Sequence, residues 1–110
     1  MLPTDKNVPS QELAARITRL QAAMAAKGQD ASLIVQKTDL FYFSGTSQQG
    51  WLYVPVQGTP LLMIFKEYTR ALAESALAAI ISLVGIKKIP EALAAYGYPP
   101  PLNIGMELDV

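Results

Sequence analysis

A chain of 110 residues is long enough to bury roughly 65% of its unfolded surface in one hydrophobic core, and too short for a second. Hydrophobic residues make up 51% and charged residues 16%, with nine basic and nine acidic side chains, so a packed globular domain is expected rather than a disordered one. No basic stripe is present to neutralise phosphates, which removes nucleic acid as an expected partner.

Cysteine is absent, so disulfides and thiolate metal sites are excluded. Histidine is absent too, which removes the usual general base near neutral pH, Ser-His and Cys-His nucleophiles, and imidazole metal ligands. Carboxylates alone remain, and the pairs Glu67 with Glu74 and Glu107 with Asp109 lack further oxygen ligands nearby in sequence. No complete catalytic site is therefore expected within this chain. The first residues lack the apolar segment of a secretory signal, and the apolar region from Ala76 to Ile86 is too short to span a bilayer; a soluble protein with no membrane partner is the expectation.

Ser10 is a suitable N-cap for a first helix, in which Leu13, Ile17, Leu20 and Met24 form one apolar face and Gly28 supplies the stop. Glu12 and Arg16 pair on its other side. A strand over Ala31 to Val35 follows, without polar alternation, as expected when both faces are covered. The stretch Lys37-Thr38-Asp39-Leu40-Phe41-Tyr42-Phe43-Ser44-Gly45-Thr46 then predicts a one- to two-turn helix capped by Thr38 and closed by a left-handed Gly45. Leu40, Phe41 and Phe43 are expected to plug the end of the core. Tyr42, Ser44 and Thr46 remain as polar groups near the carboxyl end of a strand, where open α/β sheets tend to place ligands.

Trp51 to Val56 alternates, with Trp51 and Tyr53 on one face and Leu52, Val54 and Val56 on the other; Pro55 marks a strand end or edge. Gln57 to Pro60 predicts a hairpin turn and Leu61 to Phe65 the returning strand. Thr69 is the expected cap of a helix running through Ala71 toward Leu77. From Ala78 to Ile89 helix and strand compete, the alanine-rich flanks favouring helix and the β-branched Ile80 to Val84 a short strand, which is the reading preferred; Pro90 opens another helix that ends near Gly97, and Tyr98-Pro99-Pro100-Pro101 is a stiff connector to a last strand over Asn103 to Leu108.

The order of these parts carries a resemblance. A helix with Arg16 and Leu20, then Asp30-Ala31, then Asp39 with Tyr42-Phe43-Ser44-Gly45-Thr46, then Ile104-Gly105-Met106-Glu107 resembles the N-terminal domain of the creatinase/prolidase family, and within it the Xaa-Pro peptidases. The resemblance implies a three-layer α/β domain with a mixed, ribonuclease H-like sheet. It implies a longer parent in which a pita-bread catalytic domain holds two divalent metal ions, manganese, cobalt or zinc, through Asp, His and Glu ligands. None of those ligands carries over to this chain, which is expected to stop within the N-terminal domain. The implied role is non-catalytic: a cytoplasmic dimer in which this domain contacts its own catalytic domain and a second subunit, and limits peptide access to the partner's active site. Thr46, Trp51, Tyr68 and Arg70 are the candidate contacts at that opening. The alternatives are a stand-alone or catalytically dead peptide- or protein-binding module of the same fold, and the N-terminal domain of a creatinase-like carbon-nitrogen hydrolase.

Overall fold

The computed structural model describes residues 8–98 and 104–106. The elements are α1 (Ser10–Ala26), β1 (Ala31–Ile34), α2 (Lys37–Ser44), β2 (Gly50–Pro55), β3 (Leu61–Ile64), α3 (Tyr68–Glu74), β4 (Ile80–Ser82), a 3-10 turn at Ile86–Lys88, α4 (Ile89–Ala95) and β5 (Ile104–Met106). The triple-proline connector and the ends of the last expected strand lie outside the described residues.

The strands form one five-stranded sheet in the order β4-β3-β2-β1-β5. β2 pairs antiparallel with both β1 and β3, while β4 pairs parallel with β3 and β5 parallel with β1. β2 therefore runs against the other four, whose carboxyl ends share one edge of the sheet. This is the mixed sheet expected from the hairpin at Gln57–Pro60.

The period of two along the strands sorts the core into two clusters. Ile34, Leu52, Val54, Leu62 and Ile64 face one side and meet Ile17 and Met24 of α1, Leu40 of α2 and Ala71 of α3. Ala31, Leu33, Tyr53, Leu61 and Met63 face the other side and meet Leu83, Ile89 and Leu93 around α4. The register keeps the faces together, with Leu33 opposite Tyr53 and Leu52 opposite Leu62. The result is a three-layer α/β arrangement. The five central side chains Leu52, Val54, Leu61, Leu62 and Met63 are fully buried, and each such burial contributes about 1.5–3 kcal/mol.

Helix starts depart from the expected caps. α1 begins with Pro9 at its N-cap, α2 with Gln36 and α3 with Glu67, none with a capping side-chain hydrogen bond. Ser10, Thr38 and Thr69 each sit inside the first turn instead. In every case the preceding residue supplies its carbonyl, as Pro9 does to the amides of Glu12 and Leu13 and Gln36 to Leu40. Packing of the helix body fixes where the turn begins, and a preferred capping side chain one or two residues later is simply absorbed.

α2 also corrects the expectation that Leu40, Phe41 and Phe43 all enter the core. Over two turns only Leu40, Phe43 and Ser44, at i, i+3 and i+4, face inward; Phe41 and Tyr42 lie outside, 39% and 42% exposed.

The close approach of β2 to β3 begins at Gly50. A Cβ built there would lie 2.2 Å from the Met63 carbonyl oxygen and 3.0 Å from the Ile64 Cα, both backbone atoms. Gly50→Ala should therefore destabilise the fold by about 1–3 kcal/mol, because neither contact can swing away. Urea unfolding checks this: a lowered midpoint with unchanged slope is expected.

Candidate functional site

The edge shared by the carboxyl ends of β1 and β3 carries an open cleft of about 430 Å³. Val35 and Lys37 line it where the chain leaves β1, residues 47–50 border it ahead of β2, and Lys66 and Glu67 border it where the chain leaves β3. Leu40 contributes an apolar wall.

A polar clasp lies beside the cleft and shares Gln48 with it. α2 ends because Gly45 adopts the left-handed conformation (φ 83°), its amide donating to the Phe41 carbonyl at 2.8 Å. The buried Ser44 hydroxyl bonds within this turn, donating to the Leu40 carbonyl, with the Thr46 carbonyl as its alternative acceptor at 3.1 Å, and accepting from the Thr46 amide. Thr46 Oγ1 donates to Glu74 Oε1 at 2.6 Å and accepts the Gln48 amide at 3.3 Å. Gln48 Nε2 donates to the same carboxylate at 3.2 Å. Ser75, next to Glu74, donates from its hydroxyl to the Ser44 carbonyl. The end of α2, the loop after it and the end of α3 are thus tied by bonds that close locally, and among the described residues no buried side-chain polar atom lacks a partner.

The four candidate contacts are not brought to one surface. Thr46 is fully buried, so its expected place at an exposed opening is corrected: its hydroxyl is committed to Glu74 and Gln48. Trp51 is half-buried against the α4 side of the sheet, its ring edge-on to Phe65 with centroids 6.3 Å apart. Tyr68 packs against the opposite cluster and donates from its hydroxyl to the Ile80 carbonyl at 3.3 Å. Arg70 is exposed on α3. The two segments that contain these residues do meet, but through Ser47–Gly50 and Lys66–Glu67, the stretches lying between the chosen positions. The sequence contains a polar Ser47-Gln48-Gln49 run and a Lys66-Glu67 pair after a buried strand, and that was the available signal. Nothing local marks Glu74, whose partners lie 26 and 28 residues earlier.

A second constellation joins α1 to α2. Arg16 Nε bonds Glu12 Oε2 at 3.0 Å, its Nη1 donates to the Tyr42 carbonyl at 2.8 Å, and its guanidinium lies 4.3 Å from the centre of the Tyr42 ring. Tyr42 in turn stands edge-on to Phe43 at 4.8 Å. The Arg16 and Tyr42 of the resemblance thus form one interhelix contact.

Perturbed titration occurs away from the cleft. Burial raises the Tyr53 hydroxyl above its ordinary value, with smaller contributions from Tyr98 and Asp30, and burial raises Tyr98. The two rings are tilted 36° to one another with centroids 5.4 Å apart. Among the described residues no group of three or more Asp or Glu side chains is placed to hold a metal ion. Among them, too, no helix is long and apolar enough to cross a membrane.

The creatinase/prolidase N-terminal domain model matches residues 16–110. A comparison with curated protein sequences finds no match. Among solved structures, an XXA-pro aminopeptidase from Streptococcus pyogenes is similar at 26% identity and TM-score 0.72, over 93% of this chain and 78% of that one. The N-terminal domain of cytoplasmic peptidase PepQ from Mycobacterium tuberculosis H37Rv is similar at 26% identity and TM-score 0.72, over 84% of this chain and 72% of that one. Prolidase from Pyrococcus furiosus is similar in fold at 23% identity and TM-score 0.67, over 88% of this chain but 28% of its own length.

The clasp makes a direct prediction. Thr46→Val keeps the side-chain volume but removes both hydrogen bonds of the hydroxyl, leaving Glu74 with Gln48 alone. A loss of about 1–3 kcal/mol is expected in thermal or urea unfolding. Backbone amide shifts should change at Gln48 and Gly50, with Leu33 and Met63 unmoved.

Proposed function

The chain belongs to the creatinase/prolidase N-terminal domain family, and from that membership we propose that it is the non-catalytic N-terminal domain of a proline-specific metallopeptidase, an Xaa-Pro dipeptidase or aminopeptidase. The observation that carries the reading is the family match over residues 16–110. The solved neighbours named above are an XXA-pro aminopeptidase, a cytoplasmic peptidase and a prolidase, which supports the peptidase branch over a creatinase-like one.

On this reading the chemistry lies in a further domain of a longer protein, with two divalent metal ions and a peptide substrate. The residues present here do not fit such a metal pair, because the sequence has no histidine and the described carboxylates do not converge. This chain's own work is geometric: to dock on its catalytic domain, to contact a second subunit in a cytoplasmic dimer, and to restrict which peptides reach the partner's site. Trp51 with Phe65 on the α4 side of the sheet, and Arg70 exposed on α3, are aromatic and cationic side chains of the kind that anchor interfaces.

The purified chain should show no hydrolysis of Xaa-Pro dipeptides with added manganese or cobalt. Turnover that co-purifies with the chain through successive steps contradicts the proposal.

A further inference from the structure

The cleft at the carboxyl end of the sheet carries charges that the proposed domain role leaves unused. Two ammonium groups, Lys37 and Lys66, and one carboxylate, Glu67, line it. Among the described residues no ion pair takes up any of the three, the pairs present being Glu12 with Arg16 and Lys88 with Glu91, although the Lys66 ammonium lies 5.6 Å from the centre of the Phe65 ring. Lys37 is the first residue of α2, whose positive end adds to the pull on an anion.

Glu67 carries a second, independent sign. Its backbone is left-handed, at φ 61° and ψ 45°, and it is the only non-glycine residue described with positive φ. Glycine would serve this turn without steric cost, and four glycines in the chain take positive φ elsewhere. A non-glycine residue in such a conformation at the rim of a cleft is a position at which a role for the side chain is worth testing. A lone anionic ligand would gain from the lysines and lose to Glu67. A ligand carrying both signs would be served by all three. Val35 and Leu40 supply apolar contact for the carbon between its charges.

We propose that this cleft binds a small zwitterion, a free amino acid or a short peptide with amine and carboxylate close together, its carboxylate on Lys37 and Lys66 and its ammonium on Glu67. The inference does not rest on the peptidase reading, since it uses only the charges, the backbone and the shape of this chain. The groups are exposed, so affinity should be in roughly the millimolar range.

The test is a backbone amide NMR titration of the whole chain at constant ionic strength and neutral pH, with glycine, N-acetylglycine, which lacks the ammonium, and glycinamide, which lacks the carboxylate. Saturable shifts at Lys37, Gln49, Gly50 and Glu67 are expected with glycine, and binding about tenfold weaker with each one-charge probe. Glu67→Gln should weaken glycine while strengthening N-acetylglycine, and Lys37→Gln with Lys66→Gln should weaken both; Lys87→Gln, outside the cleft, should change neither. These positions are exposed, and the amide spectrum reports in the same experiment that each variant is folded. Shifts that grow linearly and spread over all lysines, equal response to the three probes, or unchanged glycine binding in Glu67→Gln would each overturn the proposal.

Discussion

The constraint on which the rest of this structure depends is the burial of polar groups where α2 meets α3. Ser44, Thr46 and Ser75 are enclosed, and each hydroxyl reaches a backbone or carboxylate partner on the same few residues. A buried hydroxyl without a partner costs about 1–3 kcal/mol, so the arrangement is close to all-or-none: either the turn at Gly45, the loop to Gln48 and the end of α3 are all in place, or several groups are stranded at once. Apolar packing on the two faces of the sheet supplies most of the stabilisation, yet it would tolerate many ways of connecting α2 to β2. The clasp selects one.

That selection shapes the functional edge. Because β2 opposes the other four strands, its first residue, Gly50, pairs with Ile64 at the end of β3, Leu52 pairs with Ile34 at the end of β1, and the chain entering β2 must cross the carboxyl edge of the sheet. Thr46 and Gln48 are held against Glu74, and this crossing stands apart from Lys66 and Glu67. The cleft is what remains between them. On the proposed reading, in which this domain meets other domains and a second subunit, a rigid loop at this edge is more useful than a mobile one, since each immobilised side chain reduces the ordering cost of contact.

Much of the fold was legible because its signals are periodic. The alternation of Trp51 and Tyr53 with Leu52, Val54 and Val56 maps onto the two sides of the sheet, and the spacing of Leu13, Ile17 and Met24 onto the buried stripe of α1. Gly45 announced the end of α2 by a requirement of the backbone itself. The failures share a different character. Thr46 reads as a polar loop residue, and nothing near it in sequence reveals that Glu74 will arrive to bury it. Trp51 and Tyr68 look alike as aromatic neighbours of loops, but strand alternation and the intervening crossover send them to opposite faces. The caps at Ser10, Thr38 and Thr69 follow a local preference that tertiary packing overrides by a residue or two. The cleft residues Lys37, Lys66 and Glu67 were visible only as loop charges, because a cleft is a property of two segments and not of either.

If the clasp is what fixes this edge, its amides should open only when the whole domain does. Native-state hydrogen exchange of the Thr46, Ser75 and Leu77 amides, compared with those of Leu52 and Leu62 in the central strands, measures this directly. The account predicts that the two sets exchange with the same opening free energy and respond alike to small additions of denaturant. Exchange of the clasp amides through a local opening, fast and insensitive to denaturant while the strands stay protected, would contradict it.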